Sequence, residues 1–223
     1  MRRLAIFARW PVPGGVKSRL SPALPATLAC ELYRAMLEDT LSASKGGGAG
    51  ERFLYWADAP AERRAFGDPD GVIVRDQAGR VLGERLSRAF DELLTGPDDR
   101  AVAIGADCPE LEPEVIREGF AALAACDLVL GPASDGGYFL LGLRRAVPAL
   151  FEGIAWGTDR VLEQTLERAK RAGLETALLR GLADLDTPDD LVRFVARRAL
   201  TTGTTGRRTE AALRAMGLLP PAA

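Results

Sequence analysis

Lys17 and Arg19 follow the segment Pro13-Gly14-Gly15-Val16, shortly after the apolar run Leu4 to Ala8. Glycines let backbone N–H groups approach a ligand closely, and two nearby cations can neutralise a phosphate. The same residues also make an ordinary polar turn before a helix, and their spacing does not separate the two readings. A Walker A loop needs GxxxxGK[ST]. Here only Val16 lies between Gly15 and Lys17, which excludes that motif.

Acids occupy comparable positions further along. Asp107 follows an apolar run and precedes Cys108-Pro109, so it either holds a divalent cation or caps the next turn. Asp135 lies in Ser134-Asp135-Gly136-Gly137-Tyr138. Asp-Gly between apolar runs is a common hairpin turn, and the same glycines would let Asp135 face a pocket. Asp184 and Asp186 alternate, which sends both to one side of an extended segment. They precede Thr187, Pro188 and Asp190, which read as a helix N-cap, a first-turn proline and an acid three residues after the cap. The acid pair could complete a metal site begun by Asp107.

The chain contains no histidine. That excludes a Ser-His-Asp triad, a Cys-His dyad and His-ligated metals. Acid–base work falls to Asp, Glu, Lys or Tyr, and a metal must take oxygen ligands, which suits Mg²⁺ or Mn²⁺. The three cysteines form no CxxC pair and read as reduced thiols. A net charge of −2 without a long basic block points away from nucleic acid and membrane surfaces. Pro11, Pro13 and Gly14 interrupt any secretory h-region, and the expected location is cytoplasmic.

The elements that must position these residues are legible as alternating runs. Strands are expected at 4–8, 52–57, 71–75, 101–106, 127–132 and 138–143, and helices at 27–44, 81–94, 113–125 and 158–172. Strand–helix alternation predicts a single α/β domain with a mostly parallel open sheet covered by helices on both faces. The run AVAIGA (101–106) is apolar throughout, as a central parallel strand should be. Residues 46–50 (GGGAG) read as a flexible link between a helix and the next strand. The expected organisation is a domain over 1–200 and, over 201–223, a linker and short tail helix. That tail is expected to be mobile or packed on a partner, which leaves a homo-oligomer open.

In order, PVPGGVKSRL (11–20), LGERL with AF (82–90), GADCPEL (105–111), GPASDGGYFLLGL (131–143), IAWGTDRVLEQT (154–165) and DLDTPDDL (184–191) resemble a bacterial family described as glycosyltransferase-A-like. It is also called the radical-SAM/selenodomain-associated transferase family, type one, and is linked to arsenosugar biosynthesis. The resemblance spans roughly residues 3–195 and implies the nucleotide-diphospho-sugar transferase (GT-A-like) fold. Wider relatives include phospholactate guanylyltransferases, whose opening is similar to KSRLSP. Those carry a GTN-like segment where this chain has DGGYFL, which argues against that particular activity.

The resemblance implies a nucleotide or nucleotide-sugar donor and a small-molecule acceptor over the carboxyl edge of the sheet. It implies Lys17 and Arg19 on the donor phosphates, aided by the Gly14–Gly15 turn, and Asp107 with Asp186 on a divalent cation. Asp135, beside Gly136 and Gly137, falls on the acceptor side as base or orienting group. Tyr138, Trp156 and Thr158 either shape the acceptor pocket or belong to the core. Glu84 and Arg85 either pair across the cleft or form a solvated helix face. Glycosyl transfer is placed first by family likeness. The lack of a DxD motif after the central strand, where Ala106-Asp107-Cys108 stands with one acid, and the KSRL segment favour the alternative, nucleotidyl transfer with pyrophosphate release. A non-catalytic nucleotide-binding protein is the third reading.

Overall fold

A computed structural model describes residues 1–60, 71–200 and 204–220. Seven strands form one sheet: β1 (Arg2–Arg9), β2 (Glu51–Ala57), β3 (Ile73–Asp76), β4 (Arg100–Gly105), β5 (Leu128–Pro132), β6 (Tyr138–Leu143) and β7 (Thr176–Leu178). Their spatial order is β3-β2-β1-β4-β6-β5-β7, and only β6 runs antiparallel to its neighbours. The expected mostly parallel open sheet is therefore present. Helices α1 (Ala26–Lys45), α2 (Leu82–Leu93), α3 (Pro113–Ala122) and α4 (Val161–Arg171) cover it, followed by α5 (Pro188–Leu200) and α6 (Arg207–Ala215).

Alternation along β1 divides the core. Leu4, Ile6 and Ala8 pack with Leu37 of α1 and Ile116 of α3 on one face. Ala5 packs with Phe90 of α2 and Ala169 of α4 on the other. Both faces are dry, which explains why β4 shows no polar alternation. A third cluster joins Leu32 and Met36 of α1 to Phe194 of α5 and Leu213 of α6. Helix α1 is thus buried on two sides, against the sheet and against the C-terminal helices.

Two features depart from the sequence reading. The 46–50 link does join α1 to β2, but its first glycines are packing positions. A Cβ on Gly46 would lie 2.9 Å from Pro113 Cβ, and one on Gly47 2.7 Å from Ile116 Cγ2. Glycine there lets α3 close against the link. Strand β7 has only three residues on the sheet edge and no periodic signal, so it is absent from the sequence-based reading.

The tail helix docks on its own chain. Buried Asp39 of α1 accepts hydrogen bonds from Arg208 N–H (3.0 Å), Thr209 N–H (2.8 Å) and the Thr209 hydroxyl (2.7 Å). A side chain on α1 therefore supplies the N-terminal cap that α6 lacks in its own sequence. Asp39→Ala is expected to destabilise the chain by about 2–3 kcal/mol, because buried donors lose their acceptor. Urea unfolding checks this; an unchanged midpoint would show that α6 contributes nothing to global stability.

Candidate active site

The chain leaves β1 to build β2 and β3 on one side, then returns to build β4 on the other side of β1. Open α/β sheets place ligands at such a reversal, beyond the carboxyl ends of the strands. The turn after β1 carries Lys17 and the turn after β4 carries Asp107.

Lys17 adopts φ 50° and ψ 34°, the left-handed region, at a cost of roughly 1–2 kcal/mol for a residue with a Cβ. The flanking side chains of Val16 and Leu20 are buried and pin the turn. Its own side chain is 2% exposed, with Nζ 2.5 Å from Asp107 Oδ1 and 3.5 Å from Asp186 Oδ1. Burial pushes the ammonium pKa down, but the two carboxylates outweigh this and leave it above the ordinary lysine value. Arg19 Nη1 reaches Asp186 Oδ2 at 2.9 Å.

The acids are fixed through the backbone. Leu185 N–H donates to the Asp107 carbonyl at 2.9 Å, linking the turn after β4 to the segment before α5. The expected helix start is a reciprocal capping box: Thr187 N–H donates to Asp190 Oδ2 at 2.8 Å and Asp190 N–H to Thr187 Oγ1 at 3.3 Å. Asp186 N–H also reaches Asp190 Oδ2, at 3.2 Å. Burial raises the Asp190 carboxyl, yet these bonds and Arg193 hold it below the ordinary range.

Two cavities meet at Asp107 and Asp186. The larger, about 620 Å³, is also lined by Gly15, Lys17, Arg19, Arg85 and Tyr138. The smaller, about 250 Å³, adds Asp135, Gly137, Trp156, Thr158 and Asp184. Gly14 (φ 80°) and Gly136 (φ 85°) shape the turns without lining either cavity. A Cβ on Gly136 would lie 2.2 Å from the Asp159 carbonyl oxygen, so the loop before α4 closes directly onto this glycine. Asp-Gly-Gly does form the β5–β6 hairpin, with Ala133 N–H donating to the Gly137 carbonyl at 3.0 Å. Asp135 also lines the smaller cavity.

Glu84 and Arg85 do not pair across the cleft. Glu84 accepts from Arg80 N–H at 2.9 Å, while Arg85 donates to the Gly79 carbonyl at 3.0 Å and to Gln77 Oε1 at 3.4 Å. Both hold the 77–80 turn, since α2 begins just behind it. The Thr158 hydroxyl donates to the Ala155 carbonyl at 2.8 Å on the surface of the loop. Tyr138 packs edge-on to Trp156 with centroids 6.4 Å apart, and its hydroxyl is buried.

Tyr33, Gln77 and Arg80 also line the larger cavity and are absent from the sequence-based site. Gln77 Nε2 donates to the Ala8 and Tyr55 carbonyls, bridging the ends of β1 and β2. The DQAGR segment offers a turn signal for it, whereas Tyr33 sits in an unbroken helical pattern that reads as core.

Among the described residues, no three Asp, Glu, Cys or His side chains converge as a ready-made metal cluster. The position between Asp107 and Asp186 is taken by the Lys17 ammonium. The surroundings still suit a hard cation, because the donors are all carboxylate oxygens and the Asp107 side chain is 55% exposed. The Asp135 carboxyl is raised above its usual value, first by burial and then by the charges of Asp184, Asp186 and Asp107, despite the opposing Gly137 N–H.

The strand order and its helices make an α/β domain with the nucleotide-diphospho-sugar transferase-like fold. The chain belongs to the family described as uncharacterized protein conserved in bacteria (DUF2064), whose model matches residues 40–158. It is 34% identical over 206 residues to a Phenylobacterium zucineum protein named 3-phospho-D-glycerate guanylyltransferase, covering 87% of this chain and 88% of that one. A Methanosarcina mazei protein named 2-phospho-L-lactate guanylyltransferase is 25% identical over 184 residues, covering 81% of each. A crystal structure from Desulfovibrio desulfuricans G20, provisionally described as a nucleotide-diphospho-sugar transferase, superposes with a TM-score of 0.86. It is 30% identical and covers 97% of this chain and 95% of that one.

Asp135 holds its proton to higher pH folded than unfolded. Its stabilising contribution is complete below the unfolded carboxylate range, near about pH 4, and is lost as pH rises through the folded value. Asp135→Asn keeps an acceptor for Gly137 N–H and should raise Tm at pH 7, with the gain shrinking on acidification. A gain of equal size at pH 7 and below pH 4 would mean that the charge of Asp135 is not the cause.

Proposed function

We propose that this chain is a metal-dependent nucleotidyltransferase that moves a nucleoside monophosphate from an NTP to a small phosphorylated acceptor, releasing pyrophosphate. The carrying observation is the pair of cavities that share Asp107 and Asp186, with Lys17 buried between those acids. A donor in the larger cavity and an acceptor in the smaller would meet at that wall. The two relatives named as guanylyltransferases favour this reading over sugar transfer and favour GTP as donor. The DGGYFL departure argues against phospholactate specifically, and the more similar of the two suggests a phosphoglycerate-like acceptor.

In this reaction an acceptor phosphate oxygen attacks the α-phosphorus of the NTP. The bond from that phosphorus to the β-bridging oxygen breaks, and the electron pair leaves with pyrophosphate. An ionised phosphate needs no general base, which accounts for a site built without histidine. Lys17 and Arg19 offset charge on the donor phosphates. Lys17 arrives desolvated and charged, so little reorganisation is needed when phosphate approaches. Asp107 and Asp186 would hold Mg²⁺ or Mn²⁺, with Asp184 beside them; such an ion neutralises phosphate oxygens and the departing pyrophosphate. Asp135, Trp156 and the 155–158 loop orient the acceptor.

The test incubates the protein with Mg²⁺ or Mn²⁺, a panel of NTPs and nucleotide sugars, and 3-phosphoglycerate. Pyrophosphate release with GTP is expected. Nucleoside diphosphate release from a nucleotide sugar would instead establish sugar transfer, and binding without turnover a non-catalytic protein. Lys17→Ala should lower kcat/KM for the NTP by roughly 10²-fold or more. Asp107→Asn should abolish metal-dependent turnover, and full activity in both variants would misplace the site.

A further inference from the structure

Behind the acid pair lies a buried charge network that the proposed chemistry does not use. Arg198, near the end of α5, has a side chain only 4% exposed. Its Nη2 donates to the Thr205 carbonyl at 2.9 Å, its Nη1 lies 3.3 Å from Glu210 Oε1 of α6, and its Nε lies 3.5 Å from Glu110 Oε1. Arg197 Nη2 reaches the other Glu110 oxygen at 2.9 Å. Glu110 stands three residues after Asp107, in the turn closed by Leu111 N–H to the Cys108 carbonyl at 3.1 Å. Gly206, at the start of α6, packs on the same turn: a Cβ there would lie 3.0 Å from the Pro109 carbonyl oxygen.

Helix α5 therefore holds both acids. Its first turn fixes Asp186 through the capping box, and its last turns grip the loop that carries Asp107. A network of this kind is a poor source of stability. Arg198 Nε and Glu210 Oε1 are buried without hydrogen-bond partners, and apolar residues of the same volume would pack there at no desolvation cost. Its geometry does tie the turn that carries Asp107 to the helix whose first turn holds Asp186.

We infer that Arg198 is a positioning residue that acts through Glu110 on the Asp107 turn, and that α6 is part of the rigid backing of the site. This rests on the proposed role of Asp107 and Asp186, but it has a readout independent of turnover. The chain has three lysines, Lys17, Lys45 and Lys170. Lys45 and Lys170 are exposed and Lys17 is buried, so an amine-reactive ester followed by peptide mass spectrometry reports opening at Lys17 against two internal references.

In Arg198→Met, Lys17 should label roughly tenfold faster relative to Lys45 and Lys170, below the onset of unfolding. Glu110→Gln, a milder change at a residue 26% exposed, should raise labelling in the same direction and serves if Arg198→Met does not fold. Leu93→Ala, in the core on the opposite face of the sheet, is the control for general loosening and should leave Lys17 protected. Equal labelling of Lys17 in wild type and in the Arg198 and Glu110 variants would overturn the inference. So would an equal rise in Leu93→Ala. In the pyrophosphate assay, both network variants should lose kcat with little change in KM for the nucleotide. If wild type itself releases no pyrophosphate while labelling follows the expected pattern, the proposed reaction fails and the positioning role stands.

Discussion

A charged ammonium with almost no exposure to water has to be matched by charge of the opposite sign. Desolvating such an ion costs several kcal/mol, and only close carboxylates offset it. Lys17 finds them in Asp107 and Asp186, 90 and 169 residues away in the chain. The site exists only when the turns after β1 and β4 and the segment before α5 have all come together. Assembling the fold and assembling the charge cluster are therefore one event.

The strand order makes that assembly possible. With β1 and β4 adjacent and parallel, both turns emerge on the same edge of the sheet. The antiparallel β6 then brings the 133–137 hairpin alongside, and with it the carboxylate of Asp135. The result is two cavities that share Asp107 and Asp186 in their lining. The proposed group transfer needs two reactants that meet at a defined point, which is why this shared lining matters to it.

The same region carries most of the cost in the structure. Lys17 sits in a left-handed conformation. Four aspartates crowd the smaller cavity and raise the Asp135 carboxyl. Arg198 and Glu210 bury atoms that find no hydrogen bond. Away from the cleft, the core is made of alternating apolar residues with helices closed over both faces. Strain and unbalanced charge gathered in one place, within an otherwise consistent structure, are what a site under functional constraint is expected to look like.

Much of this was written in local patterns. Strand and helix periodicity located six of the seven strands and the main helices, because burial on one stripe or on both faces leaves a mark every two or every three to four residues. The absence of histidine limited the chemistry to oxygen donors and cations. Thr187, Pro188 and Asp190 announced a helix start that the structure contains. Local patterns do not carry adjacency. That Lys17 meets Asp107, that Glu84 and Arg85 serve the 77–80 turn and not each other, and that α6 is capped by Asp39 all depend on which strands and helices lie side by side. Burial is also decided there: nothing in the KSRL segment distinguishes a solvated lysine from one enclosed by two carboxylates, because enclosure is a property of the packed elements around it.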